Sequence, residues 1–143
     1  MSSTRTIKIK KGYPDGTLDL SDGGHTQAYK KDYIIWTIKK HQDITSIEKI
    51  EKKSGTDIFK TPPKPNGIQP GSDWIAEIKD NASDYSEYIY SITWNGTWGR
   101  RIYDPKISVK PSKLNFIKLL TGITLALLGL LSLEFLRRKM NKE

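Results

Sequence analysis

Apolar and polar residues alternate along most of the chain from residue 4 to residue 110, and Gly, Asn, Asp and Pro interrupt the alternation at short intervals. A period of two with such interruptions is typical of short β-strands that bury one face. The pattern predicts strands over residues 6–10, 17–20, 33–38, 72–80, 88–94 and 97–103, and a last strand that contains Ile107 and Val109. About seven or eight strands are expected, as in an antiparallel β-sandwich.

Residues 33–38 carry apolar side chains on both faces, which predicts a strand in the middle of a packed sheet. Residues 43–53 fit two structures. Ile44, Ile47 and Ile50 are three apart, and Glu48 and Lys52 have the spacing of an ion pair on a helix. A bulged strand fits the same residues and is preferred because the neighbouring segments are β.

The hairpin signal is strongest at residues 88–103. Tyr88, Tyr90, Ile92 and Trp94 form one apolar face, and Asn95-Gly96 is a dipeptide favoured in type I′ turns. Residues 61–67 contain three prolines and predict an exposed, partly extended loop that is a plausible contact surface or simply a connection. Trp36, Trp74 and Trp94 are predicted to lie in the core.

Three features of this pattern resemble an immunoglobulin-like or cupredoxin-like β-sandwich over residues 4–111. They are the central strand with Trp36, the Asp84-Tyr85-x-x-Tyr88 corner, and the closing Ile107-x-Val109 strand. Immunoglobulin domains usually carry paired cysteines, and copper-binding cupredoxins need a cysteine, two histidines and usually a methionine. This chain has no cysteine. The resemblance therefore implies architecture only and leaves function open.

A second region begins near residue 113. Residues 119–133 carry no charge, and residues 114–136 contain only Lys118 and Glu134 as charged residues. As helices these stretches would be about 22 and 34 Å long, against a hydrocarbon thickness of about 30 Å. The sequence therefore predicts a soluble domain over residues 1–112 and one transmembrane helix with a basic tail over residues 113–143. A buried or interfacial helix is the alternative, but apolar residues on every face weigh against it.

The orientation of this predicted single-pass protein rests on two opposing signals. No apolar run precedes Gly12, so no secretory signal is expected and the β domain is predicted to be cytosolic. The basic residues that follow the helix favour the opposite orientation by the positive-inside rule. Gly122, Ala126, Gly129 and Ser132 share one helix face, which predicts homo-oligomers through close helix contact, although small residues are also common in membrane spans.

Composition excludes several kinds of chemistry. Without cysteine there are no disulfides, zinc-thiolate sites or thiol nucleophiles. His25 and His41, the two histidines, lack partners at metal-ligand spacing, and no phosphate-binding loop or nucleophile elbow is present. The sequence therefore predicts a protein that is not an enzyme and has no metal or cofactor.

The net charge of +8 is spread along the chain without a long single-sign run. It is compatible with anionic lipid or a small anionic ligand, whereas extended nucleic acid is not expected as a partner. Trp98, Arg100 and Arg101 are the candidate ligand-binding residues, because an exposed hairpin with one Trp and two Arg suits stacking and phosphate contact. The alternative is an edge hairpin whose charges prevent aggregation.

Three functions fit these features. The first is a non-enzymatic, membrane-anchored recognition or sensor module that binds a protein or a small anionic ligand. The second is a membrane effector of the bacterial defence or toxin type, in which a signal such as a nucleotide assembles the β domains and the clustered helices permeabilise or depolarise the membrane. The third is an accessory subunit of a membrane complex.

Overall fold

A computed structural model describes residues 2–39, 43–69, 71–111, 120–122, 128–129 and 137. Contacts divide the chain into two units, Met1–Lys110 and Pro111–Glu143. The described residues form ten strands, in chain order β1 (Thr4–Gly12), β2 (Leu18–Leu20), β3 (His25–Tyr29), β4 (Tyr33–Ile38), β5 (Ile44–Gly55), β6 (Lys64–Pro65), β7 (Trp74–Glu77), β8 (Glu87–Gly96), β9 (Gly99–Tyr103) and β10 (Lys106–Lys110).

The strands form two five-stranded sheets. The order of the first sheet is β2-β1-β4-β7-β6, and that of the second is β3-β10-β8-β5 with β9 paired to the end of β8. Buried side chains from both sheets form one hydrophobic cluster. The predicted fold class, a β-sandwich, is confirmed at this level.

The predicted antiparallel pairing is wrong for two strand pairs. β1 and β4 run parallel, as do β3 and β10. After β2 the chain crosses to the second sheet for β3, and it therefore returns for β4 in the same direction as β1. The period of two places side chains on a face but carries no information on strand direction, which the connections set.

Two strands were not predicted from the sequence. β3 turns only the small residues Thr26 and Ala28 fully inward, so its hydrophobic alternation is weak. β6 is two residues long and lies within the proline-rich segment. It is an edge strand, where Pro65, which has no backbone N–H, is tolerated. Both depend on pairing with a partner rather than on a pattern of their own.

The predicted central strand is confirmed by β4, which lies in the middle of the first sheet. Trp36 is fully buried, and its indole Nε1 donates a hydrogen bond to the hydroxyl of Tyr90 in the second sheet at 3.0 Å. The two rings meet edge to face with centroids 5.7 Å apart. Trp74 and Trp94 are buried as well, so the prediction for these three tryptophans is confirmed.

Residues 44–53 belong to β5, and the preferred strand interpretation of residues 43–53 is confirmed apart from Asp43, which lies in the turn before the strand. The pairing of β5 with β8 shifts register between Ile44 and Ser46, between Ile47 and Lys49, and again further on. Each bulge inserts one extra residue into the strand. Ile44, Ile47 and Ile50 consequently face the core at a spacing of three, which the sequence alone does not distinguish from a helix.

The predicted Asn95-Gly96 turn is wrong by two residues. β8 continues through Gly96, which pairs with Gly99, and Thr97 and Trp98 form the turn. A Cβ atom on Gly96 would overlap the carbonyl oxygen of Asp43, to which Thr97 N donates at 3.1 Å. Gly96 is thus used for close approach of two chain segments, while Gly99 supplies the positive φ, at 77°.

The second unit is described at few positions. Residues 120–122, 128–129 and 137 have helical backbone and are exposed. Within the part of the chain that the structure describes, no helix is both long and apolar enough to cross a membrane. Of the predicted small-residue face, Gly122 and Gly129 are described, whereas Ala126 and Ser132 lie outside the described residues, as does His41.

Candidate functional site

The predicted ligand-binding residues of the hairpin make contacts within the domain. Trp98 is half-buried and packs against the core. Arg100 Nε lies 3.0 Å from Glu48 Oε2, and this hydrogen bond, with a smaller contribution from Asn95, lowers the pKa of Glu48. Arg101 Nε donates to the carbonyl oxygen of Pro14 at 3.0 Å. Both arginines therefore already hold the hairpin to neighbouring segments.

The two arginines do not lie on one face of the hairpin. Arg100 pairs with Asn95 across the hairpin, and Arg101 pairs with the buried Trp94. Successive residues of a strand point to opposite faces, so the two guanidinium groups leave β9 in different directions. Ligand binding by Trp98, Arg100 and Arg101 stays a prediction.

A groove that the sequence did not predict lies on one open side of the sandwich, between β5 at the edge of the second sheet and β6 at the edge of the first. We call it the open-side groove; its volume is about 510 Å³. Its apolar lining consists of Ile50, Pro62, Pro63, Pro65, Trp74 and Tyr88. Its charged lining consists of Lys49, Glu51, Lys52, Asp57 and Lys64.

The proline-rich segment forms one wall of the open-side groove. Pro65 pairs with Trp74 in β7, and just beyond it Asn66 N donates to the carbonyl oxygen of Asp73 at 2.6 Å. Pro63 is buried against the domain. The three prolines restrict the backbone of this wall, so its shape is largely fixed before any ligand binds.

Tyr88, which lines the groove, belongs to a packed set of rings in the core. Tyr88 contacts Phe59 edge to face with centroids 4.9 Å apart, and it stacks on Tyr90 at 5.8 Å. Tyr90 in turn contacts Trp36. Burial raises the pKa of the Tyr88 hydroxyl, and the carboxylates of Asp57 and Glu51 raise it further. This hydroxyl therefore stays protonated at physiological pH and is a hydrogen-bond donor.

The cations of the groove differ in their partners. Lys49 Nζ lies 2.7 Å from Glu51 Oε2. Lys52 and Lys64 make no ion pair with any other described residue, whereas five of the described lysines do, such as Lys53 with Asp104 and Lys60 with Glu77. Two ammonium groups on opposite walls are thus available to an anion beside an apolar surface.

Outside the groove, the one histidine that the structure describes makes a local contact. His25 Nε2 is 2.7 Å from Ser108 Oγ on the second sheet. Among the described positions, no group of three or more His, Asp or Glu side chains could hold a metal ion. The open-side groove, with apolar walls, a tyrosine donor and two lysines, is suited to binding.

Only part of the groove had a signal in the sequence. The proline-rich segment was a plausible contact loop from composition alone. Its partners come from β5, β7 and β8, which are distant in sequence and meet only through sheet pairing. Lys64 had no feature that separated it from the other lysines, and Lys52, twelve positions before it, had only the spacing of a helical ion pair with Glu48.

Comparison with known proteins adds no family to this description. No protein-family model matches the chain, and no curated protein matches it in sequence. The fold class therefore rests on the structure: the chain contains a β-sandwich with two mixed sheets.

Proposed function

We propose that this protein is a membrane-anchored, non-enzymatic recognition module that binds a small anionic ligand in the open-side groove. The observation that carries the proposal is the pair Lys52 and Lys64, which lie without ion-pair partners in the described part of the chain beside a wall of prolines and Trp74. A nucleotide-sized molecule with a planar apolar part and an anionic group matches these features.

Size and chemistry support a ligand of this class. Small-molecule sites usually enclose about 300–1,000 Å³ and combine apolar walls with a few polar groups, and the groove encloses about 510 Å³. The apolar part would contact the prolines and the exposed edge of Trp74, which is 8% exposed. The anionic group would lie between the two ammonium groups, and the Tyr88 hydroxyl is a further donor.

The anchor is proposed from the sequence. Residues 119–133 are uncharged and flanked by Lys118 and Glu134, long side chains that would reach the headgroup layer of a bilayer, which supports a single membrane span within residues 113–143. The β domain is proposed to face the cytosol, and Gly122 and Gly129 to contribute to homo-oligomers. The immunoglobulin-like or cupredoxin-like assignment and the effector and subunit functions stay predictions.

The test is a titration of the full-length protein in lipid nanodiscs with adenosine 5′-monophosphate, with adenosine as the uncharged probe. Calorimetry should show that the nucleotide binds at least about tenfold more tightly than the nucleoside, because one well-placed charge contact is worth roughly that factor in affinity. Lys52→Glu with Lys64→Glu should remove this preference. Lys10→Glu, an exposed lysine on the outer face of the first sheet, is the control and should leave it unchanged.

Two results would contradict the proposal. Equal affinity for adenosine and its monophosphate would show that the groove does not recognise an anionic group. It would favour an extended protein segment as the ligand of the groove. Unchanged nucleotide binding in the Lys52 and Lys64 double variant would place the anion elsewhere. Thermal unfolding of each variant checks that these surface substitutions leave the fold intact.

A further inference from the structure

A second feature of the domain is the end at which the chain leaves it. The last strand, β10, ends at Lys110, and Lys110 pairs with Tyr29 at the end of β3. The corner before β8 is joined to the same strand, since Tyr85 N donates to the carbonyl oxygen of Val109 at 2.7 Å. The corner before β8 and the turn after β3 therefore surround the exit of the chain toward its C-terminal segment.

Tyr85 is the prominent apolar group at this end. Its side chain is 64% exposed, and it makes no ring or cation contact among the described residues. Its φ is 62°, a left-handed conformation that glycine or asparagine adopts readily but that strains a bulky residue. An exposed aromatic ring is thus held outward at a backbone position that does not favour it.

Three cations without ion-pair partners lie on the chain segments that meet at this end of the domain. Lys31, Lys79 and Lys110 make no ion pair within the described part of the chain. Lys31 N donates to the carbonyl oxygen of Ile78 at 3.0 Å, which brings Lys31 next to Lys79. Like Tyr85, Lys31 has a positive φ, at 69°.

The acidic residues at this end do not neutralise these lysines. Asp32 is buried and is bound by Arg5. Asp84 lies 3.1 Å from Lys30. Asp80 is the remaining exposed carboxylate in the turn before β8, so the surface around the chain exit has a net positive charge.

We propose that this exit surface, formed by Tyr85, Lys31, Lys79 and Lys110, rests on anionic lipid headgroups. The inference rests on the proposed membrane anchor, which would hold the chain exit near the bilayer. Tyrosine is enriched at membrane interfaces because its ring is apolar and its hydroxyl is polar, and lysines near an anionic leaflet are attracted to it. Docking in this way would turn the Thr97–Trp98 end of the hairpin away from the lipid.

The absence of cysteine makes a site-specific test direct. Full-length protein with Ser83→Cys or Ile102→Cys is labelled with an environment-sensitive fluorophore and reconstituted into vesicles. Ser83 is exposed beside Tyr85. Ile102 is 52% exposed and pairs with Thr93, six positions beyond Glu87 along β8 and therefore about 20 Å further from the exit.

In vesicles with about one quarter anionic lipid, a nitroxide on the lipid headgroup should quench the label at residue 83 at least about twice as strongly as the label at residue 102. Vesicles of phosphatidylcholine alone should reduce this difference. Lys31→Glu with Lys79→Glu in the labelled chain should reduce it as well. Lys8→Glu with Lys10→Glu, the same charge change further along β1, should not.

The outcomes separate this inference from the anchor on which it rests. Equal quenching at residues 83 and 102 in protein that floats with the vesicles would overturn the docking surface and leave the anchor standing. Protein that does not float with the vesicles would overturn the anchor and, with it, the docking surface. A Tyr85→Ser variant that keeps the full difference would also overturn the docking surface, since the ring is its apolar contact.

Discussion

Asp32 is a buried carboxylate that joins the start of the chain to the turn after β3. It is 1% exposed and accepts hydrogen bonds from Ser3 N and Ser3 Oγ, from Arg5 Nε at 3.1 Å and from Tyr29 N at 3.0 Å. Burial raises the pKa of Asp32, but the bonds from Tyr29, Ser3 and Arg5 together outweigh it and lower the pKa below 3.8. The charge is therefore stabilised by donors from the chain start and from the turn after β3.

Asp32→Asn should destabilise the domain by about 3 kcal/mol at pH 7, because the amide nitrogen faces donors and the Arg5 charge loses its partner. Urea unfolding of the full chain measures this difference. Asp19→Asn, an exposed aspartate on β2, is the matched control and should change stability by less than about 0.5 kcal/mol. A loss at position 32 no larger than at position 19 would contradict the role of the buried charge.

The same group gives a pH dependence. Since the pKa of Asp32 is lower in the folded protein, the unfolded chain takes up the proton first as the pH falls. The stability that the carboxylate contributes is present above pH 3.8, its ordinary pKa, and is lost as the pH falls through the folded pKa. The difference between wild type and Asp32→Asn should therefore shrink below about pH 4; a constant difference would show that another property of the variant causes it.

At the scale of the element, the hairpin of β8 and β9 shows how a turn signal is displaced. Asn95-Gly96 has the right composition for a turn, but Gly96 lies against the carbonyl oxygen of Asp43, and pairing continues to Gly99. A turn at Asn95-Gly96 would lose the pairing of these two residues with β9 and the contact of Gly96 with the chain before β5. These losses outweigh the local preference for a turn.

Two glycine substitutions test this interpretation. Gly96→Ala should destabilise the domain by about 2 kcal/mol or more, because its Cβ would overlap backbone that is itself held by Thr97. Gly99→Ala has open space but a positive φ and should cost only about 1 kcal/mol. Thermal unfolding measures both losses of stability. A larger loss for Gly99→Ala than for Gly96→Ala would contradict this interpretation and favour a turn at Asn95-Gly96.

At the scale of the whole molecule, the folding of the β-sandwich and the proposed membrane anchoring by the C-terminal segment can be tested separately. The domain has its own core of buried residues from both sheets. If residues 113–143 anchor it, the full-length protein should stay with membranes through carbonate extraction, because the apolar helix has no favourable state in water.

A chain truncated after Ser112 should be soluble and should unfold cooperatively, because the core lies within the first unit. Sedimentation after carbonate treatment and circular dichroism check the two halves of this prediction. Recovery of the full-length chain in the carbonate supernatant would contradict the anchor.

The sequence by itself determined most of the elements and much of the core. Tyr33–Ile38 is the central strand of the first sheet, as its run of apolar residues predicts, with Ile34 and Trp36 buried and Tyr33 and Ile35 on the other face partly exposed. Tyr88, Tyr90, Ile92 and Trp94 point inward because their period of two matches the pleat. These are local properties, and a single strand expresses them wherever it pairs.

Only the tertiary structure decided the partners and directions of the strands and the position of the groove. The parallel pairing of β1 with β4 depends on the crossing of the chain to the second sheet between them. Lys52 and Lys64 became a pair, and Arg100 and Arg101 were separated, through the register of β5, β6 and β9. Register and direction arise from contacts between residues far apart in the sequence, so no local pattern contains them.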